Sequence, residues 1–270
     1  MDFKTLTSNS RLYNFHSHTQ FCDGRADMED FARAASEAGF SDYGFSPHSP
    51  LPIPSTCNMD IDAVPAYFAE VDRLRALYPN VRFWRSMEVD YLNADWGPSH
   101  PYFRSLGLDY IIGSIHFIPT RDGEMVDIDG RFQHFAANMA NKFDNDIRYV
   151  VTTFYRQSRE MVRAGGLDII GHFDKVGQNA SYYQPGIEDQ PWYRDEVMAL
   201  VNDIIDANLV VEINTKARVE HGRFFPDARW LKPIVDAGLT VVVNSDAHQP
   251  HLINASRDEA FEMLESLKIR

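Results

Sequence analysis

Two hydrophobic rhythms alternate along this chain. Apolar runs of strand length cover Asp42 to His48, Val81 to Tyr91, Tyr110 to His116, Leu167 to His172, Leu209 to Asn214 and Leu239 to Asn244. Between them apolar residues recur at helical spacing. Phe31, Ala34, Ala35 and Ala38 follow a cap-like Asp27 and are closed by Gly39. A second helix is expected from Asp62, with Pro65 in its first turn, through Phe68, Val71, Leu74 and Leu77 to Pro79. Further helices are expected over Thr153 to Arg163, Glu196 to Ala207, Asp227 to Ala237, and from near Ser256 onward. With a strand at the head carrying His16 and His18, about seven strand–helix units emerge, which favours a parallel barrel over an open sheet.

Polar residues interrupt this pattern at telling places. His16 and His18 stand two apart in Asn14-Phe15-His16-Ser17-His18-Thr19, and on an extended chain alternate residues share a face. More than two hundred residues later, Val241-Val242-Val243-Asn244 runs into Ser245-Asp246-Ala247-His248. An imidazole pair at the head and a carboxylate with an imidazole at the tail read as halves of one metal site. Their meeting requires a closed architecture that returns its last strand to its first. His48, His116 and His172 each end an apolar run, and Glu88 lies on another. Strand C-termini gather at the mouth of a barrel, so these groups converge there. Imidazole and carboxylate together suit zinc, manganese or iron. His100, His134, His221 and His251 lack that placement and read as ordinary surface or packing residues.

Composition narrows the classes. A chain of 270 residues with 44% hydrophobic positions can fill one α/β barrel, and one domain over residues 1–270 is expected. The net charge of −13 argues against a nucleic-acid partner. Phosphate would then need a local positive charge, such as bound ions supply. Only Cys22 and Cys57 are present, so neither a disulfide framework nor a thiolate zinc site is expected. No secretory leader or apolar stretch of membrane-spanning length is apparent, and a cytoplasmic location is the expectation.

The ordered series His16-Ser17-His18, Cys22-Asp23-Gly24, His48, Met87-Glu88-Val89-Asp90-Tyr91, Gly113-Ser114-Ile115-His116-Phe117, Gly171-His172-Phe173-Asp174 and Ser245-Asp246-Ala247-His248 resembles the polymerase and histidinol phosphatase, or PHP, superfamily. The resemblance implies a distorted (β/α)7 TIM-like barrel with three divalent ions at its mouth. It implies His16, His18, Glu88 and Asp246 around one ion, with Glu88 bridging to a neighbour that His116 also holds. Asp23, His48 and His172 match the third ion, and His248 completes the first two. The stretches around Glu88 and His116, and Glu212-Ile213-Asn214-Thr215 with Arg218, look like the histidinol-phosphate phosphatase branch. Where that branch has a glycine after the asparagine, this chain has Lys216-Ala217-Arg218.

The implied activity is hydrolysis of L-histidinol phosphate in histidine biosynthesis, by a hydroxide bridging two ions. Arg156, Lys175 and Arg218 are the cations expected on the phosphoryl oxygens, with Asp246 or His248 as general acid. Two other readings are open: the same chemistry on a nucleotide, sugar phosphate or phosphotyrosyl peptide, and an inactive binding module.

Overall fold

The computed structural model describes residues 1–269. Among these, strands run in chain order as β1 (Tyr13–Asn14), β2 (Asp42–Phe45), β3 (Arg82–Asp90), β4 (Tyr110–Ser114), β5 (Phe117–Pro119), β6 (Met125–Asp127), β7 (Ile169–Ile170), β8 (Val210–Asn214) and β9 (Val241–Asn244). Helices are α1 (Phe3–Asn9), α2 (Met28–Glu37), α3 (Val64–Leu77), α4 (Pro101–Ser105), α5 (Phe132–Lys142), α6 (Ile147–Ala164), α7 (Val176–Tyr183), α8 (Pro191–Asp206), α9 (Arg218–His221), α10 (Ala228–Asp236) and α11 (Arg257–Ile269). Seven strands pair in the order β1-β2-β3-β4-β7-β8-β9, every neighbour parallel. Every residue of β4 and β9 is buried, as in a parallel sheet covered on both faces. This is the expected distorted (β/α)7 barrel, nearly closed.

Register then fixes the site. In β3 against β4, Glu88 lies opposite Ile112 and Asp90 opposite Ser114. In β8 against β9, Asn214 faces Asn244 and Glu212 faces Val242. Between β9 and β1 the backbone ladder shrinks to a bridge from Ser17 to Ala247. Side chains complete the seam. Asn14 Oδ1 accepts the Ser245 N–H at 2.9 Å, Asn244 Oδ1 accepts the Phe15 N–H at 2.8 Å, and the Tyr13 hydroxyl accepts the Val243 N–H at 3.2 Å.

Several elements differ from the sequence reading for local reasons. Helix α6 begins at Ile147, ahead of the expected Thr153, because Asp146 accepts the Tyr149 N–H at 3.0 Å and caps it there. Pro191 likewise opens α8 from its first position. The antiparallel hairpin β5–β6 and helices α5 and α7 were not expected. They follow the ends of β4 and β7, and Asn179 of α7 donates to the carbonyls of Ile128 and Gly130.

Helix α11 locks the seam from behind through Arg257, which is 2% exposed. Its guanidinium donates to the carbonyls of Tyr13, Arg11 and Val243 and lies about 5 Å over the rings of Tyr13, Phe40 and Phe261. Replacing Arg257 by Met strands those carbonyls in an apolar setting. The expected loss is about 2–4 kcal/mol of unfolding free energy. It is read as a lower urea midpoint at unchanged slope.

Candidate metal centre

The strand ends deliver their polar side chains to one mouth. His16 and His18 follow β1 in extended backbone that the Ala247 carbonyl holds through the His18 N–H at 2.9 Å. A tight turn comes next, in which Cys22 and Gly24 both donate to the Thr19 carbonyl. A Cβ on Gly24 would stand 2.3 Å from the backbone of His18 and Thr19, so only glycine permits this fold-back. The turn sets Asp23 against the rings behind it. Across the seam Asp246 takes φ 49°, a left-handed conformation uncommon for a residue other than glycine. The surrounding bonds hold it there, and His248 turns back to donate from Nδ1 to the Asp246 carbonyl at 3.0 Å.

All nine residues expected to bind metal meet at this mouth, in overlapping groups whose ligand atoms lie within 4.8 Å of one another. Glu88 is the centre. Its Oε2 faces His16 Nε2 at 3.2 Å, His18 Nε2 at 3.5 Å and His48 Nδ1 at 3.0 Å. Its Oε1 faces His172 Nε2 at 2.8 Å and His116 Nε2 at 3.6 Å. Asp246 Oδ1 lies 3.1 Å from His18 Nε2 and 3.8 Å from His16 Nε2, completing the group on the Oε2 side. An overlapping group forms around Asp23, whose Oδ1 is 3.2 Å from His248 Nε2, 3.7 Å from His48 Nε2 and 3.8 Å from His18 Nδ1.

The bridging position expected of Glu88 thus has a geometric basis in its two oxygens. The expected trio of Asp23, His48 and His172 is not brought together. His172 lies on the Oε1 side of Glu88 beside His116, whereas Asp23 meets His48 and His248. His248, expected with the first two ions, belongs with Asp23. The turn at Gly24 explains this, because it carries Asp23 toward the β9 end of the mouth and away from β7.

Two further carboxylates, given no role in the sequence analysis, orient the imidazoles. Glu212 Oε1 lies 2.7 Å from His16 Nδ1, and Asp90 Oδ1 lies 2.8 Å from His116 Nδ1. Each carboxylate fixes the proton on Nδ1 and leaves Nε2 as the free donor atom. Strand periodicity is the signal that could have found them: Asp90 is two residues from Glu88 on β3, and Glu212 is two from Asn214 on β8. Asn214 in turn donates to Glu212 and to Asp246 Oδ2, at 3.1 and 3.0 Å.

Electrostatics knit the cluster together. Burial pushes the Glu88 carboxyl up, but His16, His48 and His116 outweigh it and hold the group well below its ordinary value. Asp246 is likewise depressed against its burial, by Lys216, His16 and His18. Burial pushes His18 down, and His248 and His48 push it further. His16 Nε2, His18 Nε2, His48 Nδ1, His116 Nε2 and Asp23 Oδ1 are buried with no hydrogen-bond partner. Such orphaned atoms are costly unless something satisfies them. Ligands about 2.1 Å from a shared ion stand roughly 3–4 Å from one another, the separations found here. The mixed nitrogen and oxygen donors therefore fit several divalent cations.

The expected cations divide. Lys175 reaches the mouth, with its Nζ 2.7 Å from Asp129; burial opposes its charge, but Asp129, Asp246 and Glu88 raise its pKa. Arg156 does not reach it. Phe154, Ser158 and Met161 lie on the inner face of α6, and the helical period puts Arg156 on the opposite face, where its 61% exposed side chain pairs with Glu160. Arg218 is also engaged elsewhere, donating to Glu259 at 2.9 Å and to the Gly222 carbonyl at 2.6 Å. The causes differ: Arg156 lies on the solvent side of its helix, whereas Arg218 is drawn away from the mouth by Glu259. Instead Lys216 stands over the cluster, 3.4 Å from Asp246 Oδ1 and 3.2 Å from His248 Nε2.

Comparison with known proteins follows this geometry. The pattern of the PHP domain matches residues 14–216. A probable histidinol-phosphatase of Deinococcus radiodurans is 25% identical over 251 residues, covering 88% of this chain and 87% of the relative. One of Schizosaccharomyces pombe is 24% identical over 263 residues, covering 88% and 81%. Among solved structures, a HisK protein of Listeria monocytogenes superposes with TM-score 0.81 at 18% identity, over 92% of this chain and 99% of that one. The histidinol phosphate phosphatase HisK of Lactococcus lactis, solved with zinc, L-histidinol and phosphate, gives TM-score 0.71 at 16% identity, over 94% and 93%.

Glu212→Ala removes the acceptor that orients His16. The affinity for divalent metal is expected to fall about 10–100-fold while all nine donors remain. Competition against a chelating dye measures this, and unaltered affinity would show that His16 needs no such support.

Proposed function

The chain belongs to the PHP domain family, and we propose that it is a metal-dependent phosphatase that hydrolyses L-histidinol phosphate to L-histidinol and phosphate. The observation that carries the chemistry is the grouping of nine buried or half-buried donor residues, Glu88 and Asp23 with seven others about them. Those groups suit three divalent ions, drawn from zinc, manganese or iron. The relatives' names and the ligands of the Lactococcus lactis enzyme support the choice of substrate.

Bound at these positions, divalent ions would activate a water for attack on phosphorus and polarise the phosphoryl oxygens. The remaining work falls to the chain itself. Glu212 and Asp90 hold the His16 and His116 rings so that each presents Nε2 to the mouth. Lys175, held by Asp129, presents its ammonium to the phosphate. As the ester P–O bond breaks, the leaving alkoxide takes the proton that Asp246 or His248 has accepted from the attacking water. Asp127 lies beside Asp129, and burial together with that neighbour raises its pKa. These carboxylates supply an acidic rim that suits the ammonium of an amino alcohol phosphate. One domain over residues 1–270 and a cytoplasmic location complete this reading, the latter supported by two free cysteines. No helix among the described residues is long and apolar enough to cross a membrane.

Glu88→Gln is expected to lower kcat far more than it raises KM, since it weakens the group shared by two donor sets. Steady-state kinetics on metal-reconstituted protein measure the split. Stripping the metal should abolish turnover, and activity at trace metal would refute the mechanism.

For the substrate, kcat/KM is compared across L-histidinol phosphate, p-nitrophenyl phosphate, nucleotides and a phosphotyrosyl peptide. L-Histidinol phosphate is expected to win by a wide margin, because phosphate alone cannot discriminate among them. Equal efficiencies would leave a phosphoesterase without this specificity.

A further inference from the structure

We propose that Lys216 is a phosphate-binding residue of this mouth, a second cation beside Lys175 that receives the phosphoryl group over Asp246 and His248. This rests on the phosphoesterase reading above and adds a residue to it. Lys216 lies in the stretch where this chain departs from the histidinol-phosphate phosphatase pattern.

Its placement is built into the fold. The Asn214 side chain accepts the Lys216 N–H at 3.0 Å, and the same side chain donates to Glu212 and Asp246. Thr215 is held on both sides, its N–H by the Asn244 carbonyl and its hydroxyl by the Ala255 carbonyl at 2.6 Å. The backbone from which Lys216 springs is therefore fixed relative to β9. Its Nζ comes to rest between Asp246 Oδ1 and His248 Nε2, with the side chain 40% exposed at the mouth.

The neighbouring cations are already engaged. Lys175 has Asp129 at 2.7 Å, Arg218 has Glu259, and Arg223 spans Asp174 and Glu188 at 2.9 and 2.8 Å. Lys216 has no carboxylate within 3 Å. The atoms nearest its ammonium are themselves donors of the metal groups, and an imidazole nitrogen or carboxylate oxygen engaged by a cation has less to offer a second one. A lysine fixed beside divalent cations would also add its own repulsion with each of them. An anion lying between ammonium and ions relieves both effects, and a phosphoryl group has three oxygens to share. Burial raises the Asp129 carboxyl, but Lys175 and, more weakly, Lys216 act to depress it.

The test uses metal-reconstituted protein titrated with inorganic phosphate by calorimetry, in wild type, Lys216→Met and Lys216→Arg. Bound metal is counted in each. The methionine variant should bind phosphate about tenfold to a hundredfold more weakly with its metal content intact. The arginine variant should recover most of that affinity. An unchanged phosphate affinity in Lys216→Met overturns the assignment. So does loss of metal from that variant, which would mark Lys216 as a support of the cluster. Failure of wild type to hydrolyse any phosphomonoester would refute the phosphatase reading separately, because the phosphate titration does not depend on turnover.

Discussion

A carboxylate at the centre of the barrel cannot be left alone. Glu88 is 1% exposed, and an unpaired charge at that depth costs several kcal/mol. Imidazoles from the ends of β1, β2, β4 and β7 surround it, so each strand must stop where its histidine can reach that one group. The sheet's register follows from the same demand. Glu88 sits level with Ile112 on β4 and forms a bridge with His48 past the end of β2. A slip of one residue in β3 would turn Glu88 outward and bring Met87 or Val89 to the mouth. The cluster is thus a reason for the fold's alignment as well as its product.

A second layer of polar groups keeps the first in place. Glu212 touches His16, the His172 backbone, Asn214 and Asn244, and so links β1, β7, β8 and β9. Each of its contacts satisfies a buried group that would otherwise be stranded. The network is cooperative in the sense that removing any member leaves an orphan, which is why these polar residues are packed as closely as the apolar core around them.

Much of this was legible in the chain. His16, His18, Glu88 and Asp246 could be placed because strand alternation and strand ends are written in the local pattern, and the barrel followed from the repetition of units. What escaped reading depended on distance. Asp23 looked like a partner of His172, but its position is set by a turn whose tightness comes from contact between Gly24 and the His18 backbone. Arg156 precedes β7 in sequence, although the spacing of Val151, Phe154, Tyr155 and Val162 already points it outward. Arg218 is held by Glu259, forty-one residues away, which no local pattern reveals. Lys216 looked like a mere departure from a motif until the mouth was assembled beneath it. The β5–β6 hairpin and α5 lack the regular spacing of the barrel units, since much of their surface faces solvent.

The seam between β1 and β9 has one more consequence. It is the weakest join of the ring, a single backbone bridge supplemented by the amides of Asn14 and Asn244. The donors nearest it are divided across it, with His16 and His18 on one lip and Asp246 and His248 on the other. Whatever those four atoms grasp together acts as a rivet through the gap. A ligand held from both lips would favour the closed ring, and any opening of the seam would weaken its hold. The join that is weakest as a sheet is thus the one at which a bound ligand would add most to the ring.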